Sequence, residues 1–329
     1  MLSVWRTFFI KMIKYINQIQ LIELLRGLNS RLPVFLIRQQ GTGGTNSAAY
    51  CYSVWLRHAV TAWKAGVNPI PQTVAELGPG DSLGIGLTAM LFGAKKYYAL
   101  DVVKFADIEN TLSFFDKIVS FVQECRSIPG REEFPELKPQ LDDYRFPNHI
   151  FSEKHLCHCL TDERIRRIRE SVKHPDKADS VIHYAVPWSS DSVMQEKSID
   201  LIFSQAVLEH VDDLAGTYRA MHKWLKDDGY ISHQIDFKSH GTARDWNGHW
   251  LYPDALWKII RGKRPYLLNR QPYSTHKRML EQASFAFLRE KIVNTASVFR
   301  WDEFDEQYQK EDIEVSGVHI LAVKRVDAR

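Results

Sequence analysis

The chain has 329 residues, 44% of them hydrophobic and 25% charged, the balance of a globular protein with a real core and not of a disordered or fibrous one. Its 43 basic and 40 acidic side chains leave a formal charge of +3, too little by itself to mark a nucleic-acid binder. No apolar run reaches the ~20 residues needed to cross a bilayer, and four cysteines with no secretion-type leader point to a reducing cytoplasm and away from a disulfide scaffold.

Charge is unevenly spread. Residues 1–40 hold six basic side chains against Glu23 alone, and a second basic stretch runs from Lys258 to Arg278 with no acid before Glu281. Over residues 4–25, Thr7, Lys11, Lys14 and Gln18 recur at helical spacing, while Trp5, Phe8, Phe9, Met12, Ile13, Ile16 and Ile19 fill the other side. This predicts a basic amphipathic helix, suited either to peripheral contact with an anionic membrane or to packing against the domain or a sister subunit. Residues 1–70 read as a helical N-terminal extension, and 71–329 as the main domain.

From Thr73 the pattern is α/β. Strands are expected at Thr73–Leu77, Tyr97–Val102, Val181–Ala185, Ile199–Ser204 and Tyr230–Phe237, and then at Lys291–Ala296 and Gly317–Lys324. Leu214, Tyr218, Met221 and Leu225 keep one face of a helix that Gly229 should end as a left-handed C′ residue. Strands alternating with helices predict a mostly parallel sheet covered on both faces. About 75 residues, roughly 105–180, separate the second and third strands, where one helix would suffice. This insertion, with Pro129, Pro135, Pro139 and Pro147 and then a charged helical run Asp162–Lys173, is expected to form a lid or an acceptor-binding subdomain.

The stretch Glu76-Leu-Gly78-Pro-Gly80-Asp-Ser-Leu83-Gly84 joins a strand to a helix through a turn that lets backbone approach a nucleotide. Leu83 occupies the place of a dinucleotide fingerprint's third glycine, which disfavours NAD and FAD. Asp101 ends the next strand, where a carboxylate can accept both ribose hydroxyls, so the pair reads as an adenosine site. Here the sequence resembles the class I S-adenosylmethionine-dependent methyltransferases over about residues 73–325. Glu76-Leu-Gly78-Pro-Gly80 is similar to that family's first motif, Asp101 to its ribose-binding acid, and Ile199-Asp200-Leu-Ile-Phe-Ser204-Gln205-Ala-Val-Leu-Glu209-His210-Val to its fourth. The resemblance implies a Rossmann-like seven-stranded sheet of order 3-2-1-4-5-7-6, strand 7 antiparallel, and S-adenosylmethionine as cofactor. It places Gly78 and Gly80 near the methionine part, Ser204 or Gln205 at the amino-acid end, and Val102 on adenine. In the upstream helix Tyr50–His58, Arg57 is expected near the cofactor carboxylate, with packing on the sheet as the alternative account of its aromatics.

Methyl transfer to a hydroxyl needs in-line alignment and removal of a proton. Candidates follow the fourth and fifth strands: His210, His233, Asp236 and His240. His233 and Asp236 must point to opposite faces of one strand, so His240, just past its end, is the preferred base, with Asp236 orienting it. His210 also opens a helix, and its structural role is favoured over a catalytic one. The sequence is similar here to small-RNA 3′-end methyltransferases that read Glu-x-x-Glu-His and bind a divalent metal, but Ala206 replaces the first ligand; His155-Leu-Cys157-His158-Cys159 likewise lacks a second half with zinc spacing. No metal is expected.

For the acceptor, Trp246, Asn247, Trp250, Arg270 and His276 are the candidates, in a segment where aromatic residues interleave with the basic run. This composition suits a small or glycan acceptor that can carry phosphate. Asn269-Arg270-Gln-Pro-Tyr273-Ser-Thr-His276 and the long insertion resemble methyltransferases of bacterial surface-polysaccharide assembly. The expected activity is O-methylation of a sugar hydroxyl or similar small acceptor. An RNA methyltransferase, disfavoured by the near-neutral body of the chain, and a non-catalytic nucleotide-fold module in an assembly complex are the alternatives. The oligomeric state is left open.

Overall fold

The computed structural model describes residues 16–32, 44–175, 177–188, 190–264 and 266–325. Seven strands form one sheet: β1 (Thr73–Leu77), β2 (Lys96–Leu100), β3 (Ile182–Ala185), β4 (Ile199–Gln205), β5 (Leu225–Asp236), β6 (Phe285–Asn294) and β7 (Val315–Lys324). Their order is β3-β2-β1-β4-β5-β7-β6, as expected. β1 pairs in parallel with β2 and β4, β2 with β3, and β4 with β5, whereas β7 runs antiparallel between β5 and β6.

The helices described are α1 (Leu21–Asn29), α2 (Ala48–Lys64), α3 (Gly84–Leu91), α4 (Ile108–Gln123), α5 (Glu153–Cys159), α6 (Asp162–Lys173), α7 (Leu214–Trp224), α8 (Asp254–Arg261) and α9 (Tyr273–Gln282). One apolar core, with Trp55, Phe92, Phe115 and Phe203, joins α2 to α6 to one face of the sheet. A second, with Tyr218, Trp224, Trp250 and Tyr308, lies on the face covered by α7, α9 and the aromatic stretch before β7. Buried apolar area on both faces is what holds such a sheet together, at about 25 cal/mol per Å².

Three local expectations change. Of the amphipathic run 4–25, residues 1–15 lie outside the described residues; beyond them a turn of helix ends at Gln18 and α1 starts afresh at Leu21. The break is held by tertiary bonds: Ile19 bridges to Ala243, and the Gln18 side chain accepts from Asp245 N at 2.9 Å. Gly229 does not cap a helix. The helix stops at Trp224, and Gly229 sits inside β5, outside the left-handed region, because the chain enters the sheet directly at Leu225. β6 begins at Phe285, six residues before the predicted Lys291; its half-exposed edge position blurs the alternation that marks a strand.

The insertion is mostly core. α4 and α6 pack against the layer that covers β1 to β3, and only residues 129–141, here called the strap, cross the carboxyl edge of the sheet. Arg57, fully buried on α2, organises that strap. Its guanidinium donates to the carbonyl oxygens of Pro129, Leu137 and Pro139 at 2.9–3.2 Å and to Ser53 Oγ at 3.0 Å.

Candidate active site

At the carboxyl end of β1 the chain turns through Gly78 and Gly80, both in the left-handed region (φ +62° and +75°) that favours glycine. A Cβ on Gly78 would fall 2.7 Å from the Val207 methyl groups, so the turn rests against the residue two beyond the end of β4. Glu76, before the turn, is buried and accepts from Tyr97 Oη at 2.5 Å, and burial pushes its carboxyl up to about 8. Asp101, at the end of β2, accepts from Val102 N at 2.8 Å through Oδ1, while its buried Oδ2 has no hydrogen-bond partner. Burial raises this carboxyl to about 6. Val102, next to it, is 47% exposed, an apolar side chain facing outward beside an unpaired carboxylate oxygen.

A cleft of about 350 Å³ opens where β4 and β5 end. Tyr50 and strap residues 133–138 form one wall; Gln205, Ala206, Gln234, Asp236 and Lys238 form the other. Gln205 donates to Lys138 O at 3.1 Å and so ties β4 to the strap, yet its Oε1 lacks a donor, as does Gln234 Oε1. Ala206 is held in the left-handed region (φ +55°), as is His240 (φ +45°). Such conformations cost on the order of 1–3 kcal/mol in a non-glycine residue and collect at functional sites.

His240 Nε2 stands 3.5 Å from Asp236 Oδ2, both side chains about one-third exposed. Burial works to raise the Asp236 carboxyl, but His240, the Lys238 amide and the Lys238 charge together hold it below the ordinary carboxylate range. The His210 ring lies 5.3 Å from that of His240, and burial together with His240 drives its pKa down to about 4. Glu209 is buried with neither carboxylate oxygen hydrogen-bonded to a side chain; burial and then Asp236 raise its pKa well above the usual value. Among the described residues no group of three or more His, Cys, Asp or Glu side chains is arranged to hold a metal ion.

The structure turns several candidates away from this edge. Ser204 and His233 share a buried hydrogen bond (2.8 Å) on the far face of the sheet, because residues one step apart from Gln205 and Gln234 must point oppositely. Arg57 is spent on the strap, not on a cofactor carboxylate. Trp250 is buried and stacks on Tyr308 at 5.1 Å; Trp246 packs edge-on against it and donates to Ala296 O. Asn247 donates to Ser297 Oγ and Ile313 O, His276 bonds Tyr218 Oη at 2.7 Å, and Arg270 is consumed by Asp254 and the Tyr252 carbonyl. Composition made this segment look like a binding face; it is structural packing. Conversely, Tyr50, Lys138, Gln234 and Lys238 line the cleft without having been singled out. The insertion's prolines were a sign of the strap, but nothing local distinguishes Gln234 from any other strand residue.

Residues 159–288 match the family model described as a methyltransferase domain. No curated protein matches the chain. Among solved structures the chain is similar to an S-adenosylmethionine-dependent methyltransferase of Mesorhizobium loti, at 14% identity and a TM-score of 0.39, over 86% of this chain and 100% of that one. It is similar also to phosphoethanolamine N-methyltransferase 2 of Haemonchus contortus in complex with S-adenosyl-L-methionine, at 12% identity and a TM-score of 0.40, over 85% of this chain and 57% of that one. These likenesses are slight, and the sheet order itself carries the fold. The protein is a methyltransferase.

Proposed function

We propose that the enzyme methylates a hydroxyl of a small, hydroxyl-rich acceptor, a sugar of a glycan precursor being the class that fits best, bound in the cleft beneath the strap. The observation that carries this reading is the His240–Asp236 pair at 3.5 Å, of which Asp236 lines that cleft. The side-chain oxygens of Gln205 and Gln234, which lack donors, suit an acceptor that presents several O–H groups. Lys138 and Lys238 on the lining suit a phosphate on the same acceptor, although Lys238 also faces Glu136 at 3.2 Å.

On the donor side, Asp101 Oδ2 is the atom suited to ribose hydroxyls, Val102 offers an apolar face to adenine, and the Gly78–Gly80 turn brings left-handed backbone to the carboxyl end of β1. When bound, the cofactor supplies an electrophilic methyl group on a sulfonium sulfur. Acceptor alignment and proton removal fall to this chain's own residues. Asp236 Oδ2 fixes the His240 ring through Nε2, which leaves Nδ1 to take the hydroxyl proton, and the ionised Asp236 stabilises the imidazolium that forms.

The test combines an acceptor screen, read as the mass gain of one methyl group in place of hydrogen, with cofactor calorimetry. His240→Ala should cut turnover by about 10²–10⁴-fold and leave S-adenosylmethionine affinity nearly unchanged. Unaltered turnover would remove His240 from the mechanism.

A further inference from the structure

Leu21, Leu25, Leu28 and Leu32 recur at intervals of four, three and four residues, the spacing of one helix face. In the structure that face looks outward. These four and Ile22 are 47–67% exposed, and Ile259 on the adjoining α8 extends the stripe. The opposite face of α1 is already committed. Glu23, buried, pairs with Arg264 at 2.7 Å, and Gly27 lies so close to α8 that a Cβ there would meet the Ile259 carbonyl oxygen at 2.1 Å. The helix therefore buries its narrow polar and glycine side and shows its leucines.

Charge around the stripe has one sign. Arg31, Lys258 and Lys263 border it and have no ion-pair partner among the described residues. The acids nearby are already paired: Glu23 with Arg26 and Arg264, Asp212 with Arg261, and Asp254 with Arg270. The sequence ahead of α1 adds Arg6, Lys11 and Lys14, with no acid before Glu23. A second copy of the chain would set one cationic border against another. Anionic headgroups would neutralise the border while the leucines enter the acyl boundary.

We infer that the α1–α8 face docks the enzyme on an anionic phospholipid surface. Docking is tested by co-sedimentation of the full chain with vesicles of phosphatidylcholine containing phosphatidylglycerol, against phosphatidylcholine alone. The wild type should bind the anionic vesicles at least about tenfold more tightly, and lose that advantage in high salt. Leu25→Glu with Leu28→Glu should abolish binding, and Lys258→Glu with Lys263→Glu should weaken it about tenfold with an unchanged melting temperature, since these side chains are exposed. The inference is overturned if the wild type ignores anionic vesicles, or if the leucine pair is replaced without loss of binding. It is overturned equally if the wild type is a dimer that the leucine replacements split, which would assign the face to a second copy.

Discussion

Two stretches of the carboxyl side, the β1–β2 edge and the segment following β5, look equally functional by composition and differ completely in the structure. At the β1–β2 edge the polar atoms are unspent: Asp101 Oδ2 has no partner, and Val102 faces outward. In the 246–276 segment Trp250 is consumed in stacking and the guanidinium of Arg270 in ion pairing and carbonyl bonds, and the atoms left unpaired there, on Asn247, His249 and His276, belong to fully buried side chains. Residue type proposes a site, whereas the contacts each side chain makes in the fold decide whether it is free to serve one. The same contrast separates His240, one-third exposed beside Asp236, from His58, His233 and His276, which are sealed in the sheet's two cores.

The broadest way to break this contrast is pH. Burial holds the pKa values of His58, His233 and His276 at about 4, 3 and 3, below the ordinary 6.5, so below pH 6.5 the unfolded chain binds more protons than the folded one. Stability should be full above pH 6.5 and fall as pH drops toward 4, by on the order of 1–2 kcal/mol per imidazole by pH 5. A flat denaturant midpoint between pH 7 and 5 would mean that these rings are reachable after all.

A narrower contrast is available by mutation. Trp250→Ala should cost about 3–5 kcal/mol of stability in urea titration, with cofactor affinity retained by the folded fraction; a selective loss of acceptor binding without destabilisation would return Trp250 to the binding surface. Asp101→Ala should do the reverse, weakening S-adenosylmethionine about ten- to a hundredfold by calorimetry at nearly constant stability. Val102→Ala, which removes two exposed methyl groups' worth of apolar contact, should weaken it only about three- to fivefold, and an undiminished affinity would mean that adenine does not lie there.

Much of the fold is legible in the residues because its signals are local. The bounds of β1 and α6, the turn at Gly78 and Gly80, and Asp101 closing β2 all follow from periodicity and from what a strand-to-helix turn requires. β4 is read correctly for the same reason. The misreadings have a common cause. Gly229 has the chemistry of a helix cap and sits in a strand, because entry of β5 into the sheet overrides the local preference. Arg57 has the charge for a carboxylate, but the strap brings backbone carbonyls to it from more than 70 positions along the chain.

What the sequence settled alone was therefore the order of strands and helices, the turn at Gly78 and Gly80 and the place of Asp101 after β2, since each is specified by residues within a few positions of one another. Only the tertiary structure decided which face Ser204 and His233 occupy, that Arg57 is spent on the strap, and that the strap closes a cleft over Gln205 and Gln234. Those outcomes depend on which distant groups consume a side chain's bonds, and bonding capacity is shared out only when the chain is folded.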